Sequence, residues 1–391
     1  MAYDTADGYT VLFGGSGSGG ALGDTWIFTG GQWQQLSPAT SPPSRYGAVM
    51  AYDAADGYVV LFGGYDAIGN LLGDTWTFKG GQWTQLNPAT SPSPRTYAAM
   101  SYDSDDGYVV LFGGAGTGLN VYYRDTWTFK AGQWSQASPS VSPSPRGGAG
   151  LADDQADGYV VLFGGSSNYH SSAAGLDDTW SFAAGQWHEL SPQRAPIDRY
   201  TFSFAYDPAT QSVLLFGGWN PYGAMGANVG DTWQFSAGSW TKISSSPSPA
   251  ARQGAAMAYD PGAGGVLLFG GVGGVVGSPV AYADTWIYGP GSSPLRPPVV
   301  SLKAKPTSVK VGKTVIFSGL VKHFLATDMT VRIERQVGGT LTALKTLPLS
   351  TSGVFKWTMK PHRAGKWVFV AVYKVRKVMY LSKPVTVKVH T

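Results

Sequence analysis

Residues 45–86 read RYGAVMAYDAADGYVVLFGGYDAIGNLLGDTWTFKGGQWTQL, and this stretch recurs along most of the chain. Leu-Phe-Gly-Gly begins at Leu12, Leu61, Leu111, Leu162, Leu215 and Leu268. Asp-Thr-Trp begins at Asp24, Asp74, Asp125, Asp178, Asp231 and Asp284. A second Trp follows seven residues after the first, and twelve residues later comes an Arg, at Arg45, Arg95, Arg146, Arg199 and Arg252. The first 288 residues are therefore one unit repeated six times.

The spacing separates a constant frame from one variable loop. Successive Leu-Phe-Gly-Gly motifs are 49, 50, 51, 53 and 53 residues apart. The insert between Gly-Gly and Asp-Thr-Trp has 8, 9, 10, 12, 12 and 12 residues, which leaves 41 residues in every complete repeat. Only this insert varies in length, so it is the part of the repeat that can be tailored without disturbing the rest.

The frame predicts four short strands. In the second repeat strand A covers residues 46–53, strand B 58–62, strand C 74–78 and strand D 83–86. The turns between them are rich in Gly and Asp, which favours antiparallel hairpins. A period near 50 residues with four strands is typical of a propeller blade. Charged and aromatic residues each make up 13% of the chain, which fits an all-β protein of many short strands.

The repeats resemble the kelch family, through the glycine doublet after strand B, the Trp that opens strand D and the Arg that opens strand A. The resemblance covers residues 1–288 and implies a six-bladed kelch β-propeller with strand A lining the channel. The chain begins at the tail of a strand A, and the sixth repeat stops after strand C at residue 288. Because kelch rings close by sharing a blade between the two ends, we expect an upstream segment, and any signal peptide, to be missing from this sequence. A ring that closes with ragged edges is the alternative.

The last hundred residues differ in charge from the repeats. Residues 1–294 carry 10 Lys and Arg against 22 Asp and Glu, whereas residues 295–391 carry 18 against 2. A Pro/Gly/Ser-rich linker is predicted over residues 289–298. Residues 299–391 read as about seven strands and resemble bacterial immunoglobulin-like modules, which implies a β-sandwich. The alternation of Lys with apolar residues is typical of a solvated strand face, and binding of an anionic cell-surface polymer is the alternative.

Little catalytic chemistry is recognisable. The chain has no Cys, which excludes thiolate catalysis and Cys-ligated metals, and also the copper–radical oxidases among kelch relatives. The repeats contain two His, at unrelated positions, and one Glu, Glu189, so neither a metal site nor a glycosidase carboxylate pair is indicated. The Asp-x-x-Asp-Gly turns lack a calcium-loop pattern and are explained as tight turns. We expect no cofactor, no metal and no specific nucleic acid, and no stretch is long enough to span a membrane.

The repeated charges have a structural explanation. Each Arg opens strand A at the end of the repeat where strand C also begins with its Asp. We expect the five Arg to pair with strand C aspartates, because an Arg–carboxylate fork offsets the cost of burying either charge. Contact with a ligand is the alternative reading of these arginines.

The variable loops supply the candidate binding residues. Strand order places the B–C and D–A loops on one face, and loops on a rigid scaffold commonly carry binding sites. Tyr and Trp are enriched at such sites. The candidates are Tyr65, Tyr122, Tyr123, Tyr169, His170, Trp219, Asn220, Tyr222 and Tyr282. Simple drift in loop sequence is the alternative explanation.

These features favour a non-catalytic, exported or cell-surface binding protein that engages a glycan or protein partner, as in adhesion, with its loop face. The tail would be a spacer or a surface-attachment module. One alternative is a carbohydrate-active enzyme, such as a sugar isomerase or lyase. The feature that would favour it is a lone carboxylate or His at the channel mouth. Asp153 interrupts the repeat where Tyr52 and Tyr102 stand, but it lies at the A–B end. A structural surface-layer spacer is a further alternative.

Overall fold

A computed structural model describes residues 1–118, 120–169, 174–222, 226–244, 246–275, 278–289, 299–322, 330–337, 340–349, 354–375 and 378–390. Over these ranges the chain consists of β-strands and turns without a helix, which confirms the all-β class. The same part of the chain holds no helix that is long and apolar enough to cross a membrane. The chain divides into two compact units, Met1–Phe28 with Trp33–Pro294 and Thr29–Gln32 with Leu295–Thr391.

Six antiparallel sheets, numbered here 1 to 6, follow one another through the described part of the repeats. Sheet 1 contains β1 (Ala2–Asp4), β2 (Tyr9–Gly17), β3 (Gly20–Thr29) and β4 (Gln32–Leu36). The short β5 (Arg45–Tyr46) precedes sheet 2, which contains β6 (Val49–Asp53), β7 (Tyr58–Phe62), β9 (Thr75–Lys79) and β10 (Gln82–Leu86), with β8 (Tyr65–Asp66) between β7 and β9 in the chain. Sheet 3 contains β11 (Ala99–Asp103), β12 (Tyr108–Phe112), β13 (Thr126–Lys130) and β14 (Gln133–Ala137).

Sheets 4 to 6 repeat this plan with longer inserts. Sheet 4 contains β15 (Gly150–Asp154), β16 (Tyr159–Phe163), β17 (Thr179–Ala183) and β18 (Gln186–Leu190). Sheet 5 contains β19 (Ser203–Asp207), β20 (Ser212–Phe216), β23 (Thr232–Ser236) and β24 (Ser239–Ile243), with β21 (Trp219–Asn220) and β22 (Ala227–Asn228) in its insert. Sheet 6 contains β26 (Ala256–Asp260), β27 (Gly265–Phe269) and β30 (Thr285–Tyr288), and β25 (Arg252–Gln253), β28 (Val272–Val275) and β29 (Ser278–Ala281) form a small separate sheet.

The predicted strand A of the second repeat is wrong in one respect, because it is divided into two strands. Tyr46 in β5 pairs with Tyr65 in β8, and the ladder with strand B starts only at Val49. Gly47 lies between them with φ +67°, a left-handed conformation that interrupts a strand. The residues directly after the Arg therefore belong to the loop face and not to the sheet.

Neighbouring sheets pack through apolar side chains and one recurring hydrogen bond. Between sheets 1 and 2 the ring of Trp83 lies 5.1 Å from the ring of Phe13 and 4.9 Å from that of Phe78. Its indole Nε1 donates to Thr25 Oγ1 of the preceding sheet across 2.9 Å. The same Trp-to-Thr bond joins Trp134 to Thr75, Trp187 to Thr126 and Trp240 to Thr179. The repeated Trp and Thr thus tie each strand D to the strand C of the sheet before it.

Sheet 1 also contacts sheet 6. Thr10 Oγ1 donates to Asp260 Oδ2 across 2.8 Å, and Trp33 Nε1 donates to Thr285 Oγ1 across 2.9 Å. The Trp33 ring lies 4.9 Å from the ring of Phe269. The sequence-distant first and sixth repeats are therefore joined by the Trp-to-Thr bond and the ring contact that also join consecutive repeats, and in addition by a Thr-to-Asp bond.

The second unit contains two sheets. One is formed by β31 (Val299–Lys305), β33 (Val315–Lys322) and β36 (Val354–Met359). The other is formed by β32 (Ser308–Lys310), β34 (Thr330–Val337), β35 (Thr340–Pro348), β37 (Gly365–Val375), β38 (Val378–Leu381) and β39 (Val385–His390). Their buried side chains, among them Val315, Phe317, Ile333, Phe369 and Val387, form one apolar cluster.

Nine strands occur in the described part of this unit, where about seven are predicted. The short β32 pairs in parallel with β39, and β38 pairs with the end of β37. Lys303 and Lys388 are exposed while their strand neighbours Ala304 and Val387 are buried, as expected for a solvated face. Of the predicted linker, residues 290–298 lie outside the described residues.

Candidate functional site

The B–C and D–A loops meet at one end of the sheets and hydrogen-bond to each other. Tyr46 pairs with Tyr65, and the equivalent bridge in sheet 5 joins Tyr200 to Trp219. Thr96 bridges to Ala115, and Gly147 to Ser166, in the same way. The residue after each Arg therefore lies beside the first residue of the variable insert. We call this end of the repeats the loop face.

Five buried ion pairs support the loop face. Arg45 pairs with Asp74, Arg95 with Asp125, Arg146 with Asp178, Arg199 with Asp231 and Arg252 with Asp284. Each pair therefore joins the Arg and the strand C Asp expected from the spacing. Asp24 accepts a hydrogen bond from Trp26 Nε1, and no arginine pairs with it in the part of the chain that the structure describes.

Each guanidinium is held by several partners. Arg45 Nη1 and Nη2 donate to the two carboxylate oxygens of Asp74 across 2.6 and 2.7 Å. Nε donates to the carbonyl of Pro43, and Nη1 also donates to the carbonyl of Gly63. The bonds to Pro43 and Gly63 bind the loop before strand A to the end of strand B, so the Arg fixes the root of the variable insert.

The partner carboxylates are more acidic than an ordinary aspartate. Burial by itself raises the pKa of Asp231, but hydrogen bonds from Arg199 and Trp233 outweigh it and lower the pKa to about 2. The pKa of Asp74 is lowered in the same way, by Arg45 and Trp76 acting against burial. These carboxylates stay ionised at neutral pH and are already committed to their arginines, so they are unsuited to proton transfer.

Two of the candidate tyrosines lie over these arginines. The Arg95 guanidinium carbon is 4.1 Å from the centroid of the Tyr123 ring, and that of Arg252 is 4.0 Å from the centroid of Tyr282. This is the geometry of a cation–π contact. Tyr123 and Tyr282 therefore cover the ion pairs from the side of the insert.

Tyrosines from several repeats gather on the loop face. We call this group the tyrosine cluster, and its members are Tyr46, Tyr65, Tyr97, Tyr122, Tyr169 and Tyr200. Tyr169 is at its centre, with ring centroids 5.9 Å from Tyr97, 5.3 Å from Tyr122 and 4.9 Å from Tyr200. The rings of Tyr46 and Tyr65 lie 5.5 Å apart. The cluster combines residues from sheets 2 to 5, which are far apart in sequence.

The Tyr169 hydroxyl lies close to two glycines of the same repeat, Gly147 and Gly148. A Cβ on Gly147 would lie 2.5 Å from the Tyr169 hydroxyl oxygen, and a Cβ on Gly148 2.9 Å from it. The backbone amide of Tyr169 donates a hydrogen bond to Tyr122 Oη across 2.8 Å. Its own hydroxyl is buried without a hydrogen-bond partner among the described residues. Burial and the neighbouring tyrosines raise the pKa of Tyr169 well above its usual value, so the phenol stays neutral.

The inserts of sheets 4 and 5 extend the face beyond the cluster. Trp219 is half-buried with its ring against Gly226, and Asn220 Nδ2 donates to the backbone carbonyl and to Oδ1 of Asp198. Tyr222 is 54% exposed, which makes it the most accessible of the predicted aromatic anchors. His170 lies outside the described residues. The structure thus brings Tyr65, Tyr122 and Tyr169 into the cluster and places Trp219 in the adjoining insert.

The sequence did not single out Tyr46, Tyr97 or Tyr200. They lie at the start of the predicted strand A, which belongs to the frame of constant length. The residue after each Arg is nevertheless irregular, being Tyr46, Thr96, Gly147, Tyr200 and Gln253 in the five repeats. This break in an otherwise regular frame is the signal that could have found Tyr46 and Tyr200, and Tyr97 stands one position further along.

The opposite end of the sheets contains a cavity of about 300 Å³. Tyr52, Tyr102 and Tyr206 line it, and Asp153 occupies the equivalent position in sheet 4. Burial raises the pKa of Asp153, and hydrogen bonds from Ser104 and Gln155 oppose that shift. Asp153 is therefore a half-buried acid among aromatic rings at the mouth formed by the A–B turns.

The A–B turns hold a second set of buried carboxylates. Asp53 Oδ1 accepts from the amides of Ala55 and Asp56, which is the usual way an Asp closes a tight turn. The other oxygen is buried without a described partner in Asp4, Asp53 and Asp103. Desolvation by burial accordingly raises the pKa of Asp103 to about 6. The hydrogen bonds of Asp53 therefore show that the repeated Asp-x-x-Asp-Gly motif forms a tight turn.

Comparison with known proteins identifies the repeats. The family model described as the KLHDC2/KLHL20/DRC7 Kelch-repeats domain matches residues 4–203, which is just over half of the chain. No curated protein matches the sequence. Among solved structures, the CARDB domain of the PF1109 protein from Pyrococcus furiosus, described in complex with di-metal ions, matches at 19% identity. That match covers 24% of this chain and 93% of the other with a TM-score of 0.18, and it carries no argument about fold or function.

Proposed function

Because the chain belongs to the Kelch-repeat family, whose domains are mostly protein-interaction modules, we propose that it is a non-catalytic binding protein whose loop face engages a protein partner. The observation that carries the proposal is the tyrosine cluster, which joins aromatic side chains of sheets 2 to 5 on one face. Aromatic clusters with a polar edge are favoured at protein interfaces. A glycan is the other class of partner that stacks on such rings.

The architecture that we propose for this function is a six-bladed propeller. Its support is the contact of sheet 1 with sheet 6 through Trp33 and Thr285, which repeats the contact between consecutive sheets. A ring of this kind gives the loop roots fixed positions, held by the five buried ion pairs. A partner would therefore meet a preorganised surface, which lowers the entropic cost of binding.

For the second unit we propose an immunoglobulin-like sandwich that acts as a spacer or attachment module in an exported or cell-surface protein. Its support is the pair of sheets around one apolar cluster and the excess of Lys and Arg in residues 295–391. The exposed lysines would attract an anionic surface polymer, and this attraction would weaken with salt. Residues 289–298 would be the linker between the two domains in the sequence.

The experiment is a screen of the full-length chain against arrays of surface proteins and of glycans. Tyr222→Ala and Trp219→Ala should each weaken binding of any specific partner by about tenfold or more, as truncation of an interface aromatic does. Asp105→Ala, in an exposed A–B turn, is the matched control and should bind normally. If a partner no longer binds the control variant but still binds both aromatic variants, the loop face is excluded as its binding surface.

One observation favours a second candidate, a carbohydrate-active enzyme. Asp153 replaces a tyrosine of the repeat, lines the aromatic cavity, and has a raised pKa as a general acid requires. Incubation of the protein with a glycan panel, followed by analysis for isomerised, unsaturated or shortened products, tests this candidate. Turnover that Asp153→Asn abolishes would establish it, and the absence of any product would leave binding as the function.

A further inference from the structure

Each of the six sheets contributes one equivalent residue to the cavity at the end opposite the loop face. This residue stands directly before the Asp that ends strand A, and it is a tyrosine in every repeat except the fourth. All six line the cavity, at Tyr3, Tyr52, Tyr102, Asp153, Tyr206 and Tyr259. We call this space the turn-face cavity. It combines five phenol rings with a single carboxylate.

The tyrosine hydroxyls are held by the A–B turn of the preceding sheet. The amide of Ala6 donates to Tyr52 Oη across 3.1 Å. Tyr102 accepts a hydrogen bond in the same way from the amide of Ala55. Each of these side chains is therefore fixed at both ends, by its own strand and by the neighbouring turn. The aromatic wall of the cavity is thus preorganised, which lowers the entropic cost of binding a ligand.

Asp153 differs from its equivalents in size and in charge. Its carboxylate accepts hydrogen bonds from Ser104 and, across 3.3 Å, from Gln155 Nε2. No Lys or Arg pairs with it in the part of the chain that the structure describes. The side chain is half-buried, so water screens its charge only in part. The fourth repeat therefore places a negative charge without a cationic partner in an aromatic wall.

The other charges at this end of the sheets are also negative. Burial, and then the charges of Asp53, Asp153 and Asp56, raise the pKa of Tyr102. No Lys, Arg or His is among the described residues that line the cavity. Met1 lines it too, and burial lowers the pKa of its amino group to about 6, so this amine is largely neutral at pH 8. A cation would therefore meet no competing positive charge there.

We propose that the turn-face cavity binds a small organic cation that carries a quaternary ammonium group. Aromatic rings attract such a cation through the negative faces of their π systems, and the Asp153 carboxylate adds a full opposite charge. A methylated ammonium needs no hydrogen-bond acceptors, and its methyl groups would contact Met50, Met100 and Leu151, which also line the cavity. The volume of about 300 Å³ is at the lower end for ligand pockets and suits a small molecule.

This site is separate from the loop face, so the inference does not depend on the function proposed for that face. It is an alternative to the enzymatic use of Asp153, because a counter-ion must be ionised whereas a general acid must be protonated. The quaternary ammonium could belong to a free cation or to a phosphocholine headgroup. The turn carboxylates would repel the phosphate of a headgroup, which favours the free cation.

Choline is the probe, and it is titrated into the full-length chain at pH 8 with calorimetry and melting temperature as readouts. We expect one choline per chain, with half-saturation at about 1 mM or below. The neutral analogue, in which a carbon atom replaces the choline nitrogen, keeps the shape and loses the charge. It should bind at least about tenfold more weakly. Glycerophosphocholine, the soluble form of a lipid headgroup, should also bind more weakly than choline.

Variants of the protein test the charge and the rings separately. Asp153→Asn should weaken choline binding at least about fivefold. Asp153→Tyr restores the residue found in the other five repeats, so it should fold normally and lose binding. Tyr102→Leu should weaken binding, whereas Tyr102→Phe, which keeps the ring, should bind nearly normally. Glu189→Gln, which removes an exposed carboxylate of strand D, is the control and should bind normally. Thermal unfolding of each variant confirms that it is folded.

Three results would overturn the proposal. The first is the absence of saturable choline binding, or equal binding of choline and its neutral analogue. The second is unchanged affinity in Asp153→Tyr, since the turn-face cavity would then not be the site. The third is tighter binding of glycerophosphocholine than of choline, which would exclude a free cation as the ligand.

Discussion

Trp33 and Thr285 are 252 residues apart in sequence and are joined by a 2.9 Å hydrogen bond from the indole Nε1 to the threonine Oγ1. The bond is the same as the one between Trp83 and Thr25 of consecutive repeats. A contact that normally joins neighbours in sequence therefore also joins the first repeat to the sixth. Once neighbouring repeats are packed together, the Trp and Thr side chains are already close. Formation of this bond then costs little additional conformational entropy.

The threonine of Asp-Thr-Trp should be important for stability only where it has its tryptophan. Thr75→Val leaves the buried Trp134 indole N–H without an acceptor, so we expect the free energy of unfolding to fall by about 1–3 kcal/mol. Thr232→Val, at the same repeat position, should change it by less than about 0.5 kcal/mol. Chemical denaturation of both variants provides the measurement, and equal losses would show that the hydrogen bond is not responsible.

Removal of an arginine from a buried pair should be severely destabilising. In Arg146→Ala the Asp178 carboxylate, which is 24% exposed, loses its bidentate partner, and we expect a loss of about 3–5 kcal/mol. Arg124→Ala, which truncates an exposed arginine, is the control and should have little effect. The double variant Arg146→Ala with Asp178→Ala should be less destabilised than the sum of the two single variants. Additive losses would mean that the two side chains act independently.

Because of the carboxylates in the A–B turns, we expect the folding stability of the protein to depend on pH. Desolvation raises the folded-state pKa of Asp103 to about 6, above the value of about 3.9 for an unfolded chain. The folded state then binds a proton more tightly, so the contribution of Asp103 to stability is greatest below about pH 4 and is lost as the pH rises to about 6. Asp103→Asn should flatten this part of the stability profile. Denaturation midpoints measured from pH 4 to pH 7 provide the test, and parallel profiles would exclude Asp103 as the cause.

Addition of a single hydroxyl group should give one of these carboxylates a hydrogen bond. Thr10 donates to Asp260 Oδ2, and Val160 occupies the same repeat position beside sheet 3, whose Asp103 Oδ2 has no described partner. Val160→Thr should therefore lower the pKa of Asp103 and raise stability at pH 7 by about 1 kcal/mol. Val161→Thr, one residue further along the strand, is the control and should destabilise the protein, since it places a hydroxyl in an apolar cluster. Destabilisation by Val160→Thr would contradict the inferred geometry.

The centre of the tyrosine cluster can be altered without a change to its aromatic rings. Tyr169→Phe removes a buried hydroxyl that has no described partner, so we expect unchanged or slightly increased stability. Gly147→Ala should instead be destabilising, because its Cβ would lie 2.5 Å from the Tyr169 hydroxyl oxygen. The pair Gly147→Ala with Tyr169→Phe should recover part of the loss. No recovery would indicate that the alanine strains the backbone and not the cluster.

Much of the architecture can be predicted from the sequence, because it depends on short-range interactions that are the same in every repeat. The period, the constant 41-residue frame and the turn residues identify the strands, and the locked spacing of Arg and Asp identifies pairs such as Arg45 with Asp74. Register within a hairpin is set by a few neighbouring residues, so a repeated pattern implies a repeated structure. The division of strand A at Gly47 was not predicted, because it depends on the pairing of Tyr46 with an insert in the same repeat.

The grouping of the candidate binding residues could be seen only in the tertiary structure. Tyr97, Tyr169 and Tyr200 come from different repeats, and no sequence spacing relates them, since their proximity results from the way successive sheets pack. The same is true of the contacts between sheets 6 and 1, where Thr10 meets Asp260 and Trp33 meets Thr285. Sequence periodicity determines the strands and turns of each repeat, because the hydrogen bonds within a repeat join residues that are close in sequence. The contacts between repeats decide which side chains meet, because those distances are set by packing across the whole set of sheets.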